Sequence, residues 1–311
     1  MIYGAGAIGA TIGAVLFEAK KNVVLIARGE HGRAIAATGL SFGAPDGWRT
    51  LRVPVVEHPS KIAFRADDVV VLAMKSQDTI AALETLRPLA PVSLPIVCAQ
   101  NGVANESRAL RVFENVHGMC VKMPSVHLKP GVVSVHGSPF YGTCDLGRFP
   151  HGIDRVDEAF AADLAGTSIH SAARDDVMAY KYAKLVLNLG NVVEAACGLE
   201  ASSGALVKRA REEATTVLAA ANIKTERSAS IGFALGTVEG VERAGGSTYQ
   251  SLARGAPSLE TDDLNGEIVL LGRMHGVPTP VNAMLQRLGQ RLVIDHVPPG
   301  SLALVDLESL Q

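Results

Sequence analysis

The sequence predicts an α/β protein, with a largely parallel sheet and its helices in the first half and a mostly α-helical domain after it. Three observations lead there. Three glycines, Gly4, Gly6 and Gly9, crowd the start of the chain in YGAGAIGATIG. Short apolar runs follow, NVVLIA at 22–27, DDVVVLAM at 67–74 and LPIVCA at 94–99, alternating with helical stretches in the manner of strands buried on both faces of a parallel sheet. From residue 175 the chain becomes rich in Ala and Leu and helical in period.

In order, a strand stub of Met1 to Tyr3 leads into the glycines, then a helix from Ala10 to Ala19 and the strand NVVLIA. The stub is shorter than the 5–6 residues of a typical strand. The stretch SFGAPDGWRTLRVPVVE carries a Pro-Asp-Gly turn between extended runs and reads as a hairpin, which makes a mixed sheet the expectation. DDVVVLAM, a helix from Gln77 to Leu86 and LPIVCA repeat the strand-helix-strand pattern. GMCVKMP, GVVSVHG and FYGTCDLG add a β-rich piece before Pro150, and the texture changes from about Ile153. Helices are expected from Asp175 to Ala196, Gly204 to Ala221 and Pro257 to His275. The small polar stretch GTSIHSAA places the joint between the domains, giving 1–168 and 169–311.

The bulk numbers bound the function. A chain of 311 residues holds two domains with a core each, and 48% hydrophobic with 19% charged residues is the make-up of a folded protein. Lys plus Arg (29) nearly balance Asp plus Glu (31), a net charge of -2, so there is no overall field for nucleic acid or an anionic membrane. Cys98, Cys120, Cys144 and Cys197 lack the paired short spacings of a zinc site or a redox pair, and read as reduced, buried apolar residues. No signal peptide precedes the glycines, and no apolar run reaches the roughly 18 residues of a spanning helix. A cytoplasmic protein without a metal is the expectation.

The glycine spacing carries the first chemistry. In a Rossmann-type dinucleotide-binding turn the first glycine bends the chain, the second admits the pyrophosphate and the third packs helix on strand, with the phosphate on the helix N-terminus. Gly4, Gly6 and Gly9 fit those roles, with Ala7 and Ile8 inside the same turn. After the second strand comes Arg28, 19 positions past Gly9, where an NAD enzyme often carries an acid for the ribose 2′-hydroxyl. An arginine fork suits a 2′-phosphate instead, so the cofactor expected is NADPH/NADP+. The plainer reading of Arg28 is a solvated charge paired with Glu30. Lys75 and Asn101 each follow a strand, where an open α/β sheet binds its ligand, and are cofactor candidates; Asn101 could equally be an Asn-Gly turn residue.

Taken together, GAGAIG at 4–9, Arg28, MKSQDT at 74–79, QNGV at 100–103, KLVLN at 184–188, STYQS at 247–251 and LETDDLNG at 259–266 resemble the ketopantoate reductase (2-dehydropantoate 2-reductase) family. The resemblance runs over nearly the whole chain. It implies a Rossmann-type domain followed by a helical one, and NADPH-dependent reduction of 2-dehydropantoate to pantoate, a step of pantothenate biosynthesis. It also implies that Lys75 acts on the cofactor and Asn101 near the nicotinamide or substrate.

Reducing a 2-oxo acid requires a hydride donor, a proton donor for the developing alkoxide and groups that hold the carboxylate. Lys184 and Asn188, four apart on a helix, share a face, and an ammonium there can donate to the carbonyl oxygen. On pattern alone Lys181 and Lys184 read as the solvated edge of an amphipathic helix. The resemblance makes Lys184 the general acid, Asn188 a substrate contact and Glu260 the residue that orients the substrate hydroxyl or the lysine; otherwise Glu260 is a first-turn acid serving the helix dipole. It makes Ser247 a substrate contact too. Two positions depart from the family pattern: Val192 stands where a second asparagine is expected, with Asn191 one earlier, and Ser251 stands where an aspartate usually ends the serine motif.

His117, His127, His136 and His151 show no metal-ligand spacing or carboxylate partner and read as structural or exposed. No GxSxG motif of a hydrolase is present. Two other functions stay open: reduction of another branched 2-oxo acid, and a non-catalytic NADP(H)-binding redox sensor. The partner expected is a small 2-oxo acid, and the helical second domain is a candidate for homodimer formation.

Overall fold

The computed structural model describes residues 1–227, 234–242 and 245–308, with the side chains of Asp306 and Glu308 left aside. It contains two compact units: residues 1–100, 105–178 and 234–242 form the first, and residues 101–104, 179–227 and 245–308 the second. Relative to a division after residue 168, residues 169–178 and 234–242 cluster with the first unit and 101–104 with the second.

The first unit begins with β1 (Ile2–Tyr3), α1 (Ala7–Glu18), β2 (Leu25–Ile26), α2 (Gly29–Thr38), β3 (Leu40–Ala44), β4 (Gly47–Leu51) and β5 (Val55–Val56). It continues with β6 (Val70–Leu72), α3 (Thr79–Leu86), β7 (Ile96–Cys98), α4 (Asn105–Leu110), β8 (Val116–Lys122), β9 (Ser125–Lys129), β10 (Val132–Val135) and β11 (Gly137–Ser138). β12 (Gly142–Arg148), α5 (Arg155–Leu164) and β13 (Ile169–His170) follow. The main sheet has the order β13-β12-β8-β7-β6-β1-β2-β5, parallel except where β12 runs against β8. The stub β1 lies inside it, between β6 and β2, and the Met1 amino group donates to the Val69 carbonyl at 2.7 Å.

Successive strand residues face opposite sides of this sheet. Ile2, Leu25, Val71 and Val97 join one core with α1, whereas Tyr3, Ile26, Val70, Leu72, Ile96 and Cys98 join the other with α3. That is why these runs are apolar without a break. The expected hairpin exists as β3 and β4, but it belongs to a separate sheet, β4-β3-β10-β9. The main sheet is mixed because of β8 and β12 instead. The second sheet forms because Leu40–Ala44 finds β10 as a parallel neighbour from far along the chain, a pairing no local signal encodes.

The helical unit contains α6 (Val177–Asn188), whose first two residues belong to the first unit, then α7 (Asn191–Cys197) and α8 (Ala205–Ala220). After β14 (Ala234–Leu235), which returns to pair with β11 in the first unit, come α9 (Ser247–Ala253), α10 (Asn265–His275), α11 (Pro280–Ile294) and α12 (Leu304–Glu308). Two expected helices are each divided. The helix foreseen over 175–196 breaks at Leu189 and Gly190, where a Cβ on Gly190 would lie 2.8 Å from a Val207 methyl. Asn265 covers that break, donating to the Leu189 carbonyl at 3.1 Å and to Asn282 at 3.1 Å. The helix foreseen over 257–275 is a 3-10 turn, Glu260–Asp262, followed by α10. No helix among the described residues is long and apolar enough to cross a membrane. None of the four cysteines is in a disulfide; three are buried and Cys197 is partly exposed.

Candidate active site

The three glycines of the first turn meet three different surroundings. Gly4 has φ +97°, and a Cβ there would lie 2.6 Å from the Met74 nitrogen; the turn is tight and pressed against the chain just before Lys75. A Cβ on Gly9 would lie 2.1 Å from the Gly4 carbonyl oxygen and 2.9 Å from an Ile2 methyl, so α1 sits as close to β1 as backbone allows. On Gly6 a Cβ would meet nothing within 4 Å. Gly6 is the N-cap of α1 and supplies no side-chain cap, which leaves the N–H groups of Ala7, Ile8 and Gly9 without intrahelical partners. A bare Cα beside first-turn N–H groups fits the pyrophosphate of a dinucleotide.

Arg28 caps the start of α2 directly after β2. Its side chain is 73% exposed and its nearest acid is Asp78, at 3.9 Å, rather than the Glu30 that its plainer reading paired with it. Lys75, half-buried, precedes the 3-10 turn Ser76–Asp78. A buried polar network that the sequence did not announce fixes the loops bearing Lys75 and Asn101. Gln100 donates to Thr79 at 2.9 Å, Thr79 to Asn105 at 2.9 Å, and Asn105 to Ser76 at 3.0 Å. All four residues lie within MKSQDT or QNGVAN, so the signal was their polar character next to two buried strands. Buried polar groups of this kind are retained when they bond one another.

In the helical unit, Lys184 Nζ donates to Asn101 Oδ1 at 2.8 Å. Asn101 thereby stands within hydrogen-bond reach of the amine. The next residue, Gly102, has φ +77°, and a Cβ on it would lie 2.9 Å from the Asp263 carbonyl, which brings the 101–104 segment against the turn headed by Glu260. Glu260 itself is 5% exposed. It heads that turn and does not lie in the first turn of α10. Lys181, expected on a solvated edge, is 4% exposed; Lys184, one turn on, is half-buried.

Asn188 and Asn191 are both half-buried, at the end of α6 and the start of α7. Val192 is 1% exposed and packs into the core of the unit. Ser247 opens α9. Glu194 of α7 accepts the N–H of Gly246, the residue before it, which ties the start of α9 to α7 one turn past Asn191. Ser251 is buried, and its hydroxyl donates to the Ser247 carbonyl at 2.9 Å; it is spent on its own helix.

The histidines are not without carboxylate partners. His117 is buried with Nδ1 2.8 Å from Asp157, and His117, Asp154 and Asp157 place ligand-type atoms within 4.8 Å of one another. Those carboxylates are already engaged: Asp154 accepts from Arg148 at 2.7 Å, and Asp157 accepts the Asp154 N–H at 2.9 Å in the capping box of α5.

Comparison with known proteins matches both halves of the chain to one family. Residues 1–151 match the family model described as ketopantoate reductase PanE/ApbA, and residues 176–292 its C-terminal counterpart. The 2-dehydropantoate 2-reductase of Pyrococcus abyssi (strain GE5 / Orsay) is 27% identical over 292 residues, 91% of this chain and 94% of that one. A PanE/ApbA family ketopantoate reductase from Ralstonia eutropha JMP134 is similar in structure with a TM-score of 0.79 and 30% identity, covering 95% of this chain and 99% of its own. D-mandelate dehydrogenase, solved with NADH and anilino(oxo)acetate, shares the fold with a TM-score of 0.81 at 21% identity, over 95% of this chain and 99% of that one. The chain belongs to the ketopantoate reductase PanE/ApbA family and is a 2-dehydropantoate 2-reductase-like oxidoreductase.

Proposed function

We propose that the protein reduces 2-dehydropantoate to pantoate with NADPH. The observation that carries this reading is the 2.8 Å hydrogen bond from Lys184 to Asn101. It couples a proton-donating ammonium to the segment that directly follows β7, so two motifs far apart in sequence serve one piece of chemistry. A pure sensor of redox state needs neither that lysine nor a buried glutamate, and the family is one of enzymes.

The N–H groups of Ala7, Ile8 and Gly9 hold the pyrophosphate beside Gly6, and the Arg28 guanidinium pairs with the 2′-phosphate. Lys75 and Asn101 complete the cofactor's surroundings. When bound, the reduced nicotinamide supplies the hydride that adds to C2 of the 2-oxo acid. Lys184 donates a proton to the C2 oxygen as negative charge develops there, and Asn101 aims the ammonium by accepting one of its N–H bonds. Asn188, Asn191 and Ser247 hold the polar groups of the substrate, and Glu260 orients the hydroxyl or the lysine.

A second reading keeps the chemistry and changes the substrate to another branched 2-oxo acid. Ser251 favours it, because a hydroxyl bonded to its own helix replaces a carboxylate usual at that position. The test follows NADPH consumption over a panel of 2-oxo acids with wild type and Lys184→Ala. Turnover of 2-dehydropantoate above all others, lost in the variant, is expected; a higher kcat/KM for a different acid would move the assignment to that substrate.

A further inference from the structure

His31 has no part in the scheme above, yet its ring lies against the glycine turn. Nε2 is 2.7 Å from the Ala5 carbonyl oxygen. Nδ1 accepts the Gly131 backbone N–H at 3.0 Å and lies 3.0 Å from Nε2 of His127. A backbone N–H can only donate, so Nδ1 carries no proton, and a neutral ring then holds its proton on Nε2. Nε2–H therefore donates to the Ala5 carbonyl, and the His127 ring lies beside Nδ1. The two rings meet edge to face, with centroids 4.4 Å apart.

The far end of this connection is fixed. Gly131 joins β9 to β10 with φ +77°, and a Cβ on it would lie 3.0 Å from the Ala34 methyl of α2. The ring thus spans from the second sheet to the turn between β1 and α1. Ala5 is buried between Gly4 and Gly6. Its carbonyl and the Gly6 N–H belong to one planar trans peptide, in which the two bonds point in opposite directions. Holding the carbonyl toward His31 turns the Gly6 N–H away from it.

We propose that His31 is a positioning residue for the cofactor: by holding the Ala5 carbonyl it sets the Ala5–Gly6 peptide so that the Gly6 N–H faces the pyrophosphate. This rests on the reading that the glycine turn binds NADPH. His31 touches no reacting atom. Its contribution lies in cofactor affinity, and the second sheet acquires a role as the anchor of the phosphate turn.

The experiment compares wild type, His31→Leu and His31→Gln. Glutamine can donate an amide N–H to Ala5 and accept from Gly131, whereas leucine can do neither. The Kd for NADPH, read by fluorescence titration, should rise about tenfold or more in His31→Leu, as loss of a half-buried hydrogen bond implies. The kcat at saturating NADPH should stay within about twofold of wild type, and His31→Gln should recover most of the affinity. A folded His31→Leu protein that binds NADPH as tightly as wild type overturns the proposal. If His31→Leu does not fold, ¹⁵N-histidine spectra of the unmodified protein decide. Nε2–H with a bare Nδ1, shifting on addition of NADP+, supports it; a proton on Nδ1, or no response at saturation, overturns it. Wild type that binds neither NADPH nor NADH removes the cofactor reading and this proposal together, whereas a wild type that binds, with an unaffected His31→Leu, removes this one alone.

Discussion

The glycine turn and the lysine cluster are built on opposite plans. The turn is backbone: within residues 4–9 it has a positive φ at Gly4, a bare Cα at Gly6 and a helix-strand contact at Gly9. The lysine cluster is gathered from three stretches, with the Asn101 and Lys184 side chains bonded to each other and Gly102 pressed on the turn that Glu260 heads. The first kind of site fails when an atom is added, the second when a group is taken away. Each can therefore be damaged in a way that leaves the other intact.

The largest effect is expected from Lys184→Ala. Removing the proposed proton donor should lower kcat by about 10²–10⁴-fold, with the NADPH Kd and the unfolding midpoint close to wild type. A variant with wild-type kcat would take the lysine out of the mechanism.

Next come the glycines, which separate stability from binding inside one turn. Gly9→Ala drives a methyl onto the Gly4 carbonyl, 2.1 Å from its ideal Cβ, and should cost roughly 1–3 kcal/mol or more in urea unfolding, as overpacking against backbone does. Gly6→Ala meets nothing and keeps an extended N-cap conformation open to alanine. Its stability should stay within about 1 kcal/mol of wild type, while NADPH affinity falls. Equal destabilisation by both would show that Gly6 is structural like its neighbour.

Arg28→Ala is expected to act more narrowly. Loss of a charge-assisted contact should raise the Kd for NADPH by about tenfold or more and leave NADH within about twofold. Equal loss for both cofactors would set the 2′-phosphate reading aside and make Arg28 a partner of Asp78 only.

The contrast between the two plans also explains what could be read from sequence. Gly4, Gly6 and Gly9 lie within six positions, and the positive φ at Gly4 and the backbone contact at Gly9 are steric demands that only glycine meets, so the turn is visible as a string. Lys184 and Asn188 were readable through helical period. The break at Leu189 and Gly190 was not, because it depends on Val207 from α8 and on Asn265 from α10. The separate sheet of β3 and β4 depends on β10, which is about ninety residues away in sequence. The Ser76, Thr79, Gln100 and Asn105 network is polar in composition but becomes a network only once β6 and β7 lie side by side. His31 was passed over because its partners are two carbonyl or amide groups of the backbone and another histidine, none of which has a sequence signature.

The smallest effect concerns pH and again sets the two regions apart. Burial holds the His31 pKa below the ordinary histidine value of 6.5, and the hydrogen bond to Ala5 offsets this only in part. The unfolded chain therefore takes up a proton before the folded one as pH falls. Stability from this ring is complete above about pH 6.5 and is lost as pH drops toward the lower folded value. Once protonated, Nδ1–H would oppose the Gly131 N–H and the His127 ring that face it. The bond between Lys184 and Asn101 involves no histidine. Wild type should lose more of its unfolding midpoint than His31→Gln between about pH 7.5 and about pH 5.5. Equal losses would take His31 out of the acid response and leave the Ala5 bond without a pH-dependent part.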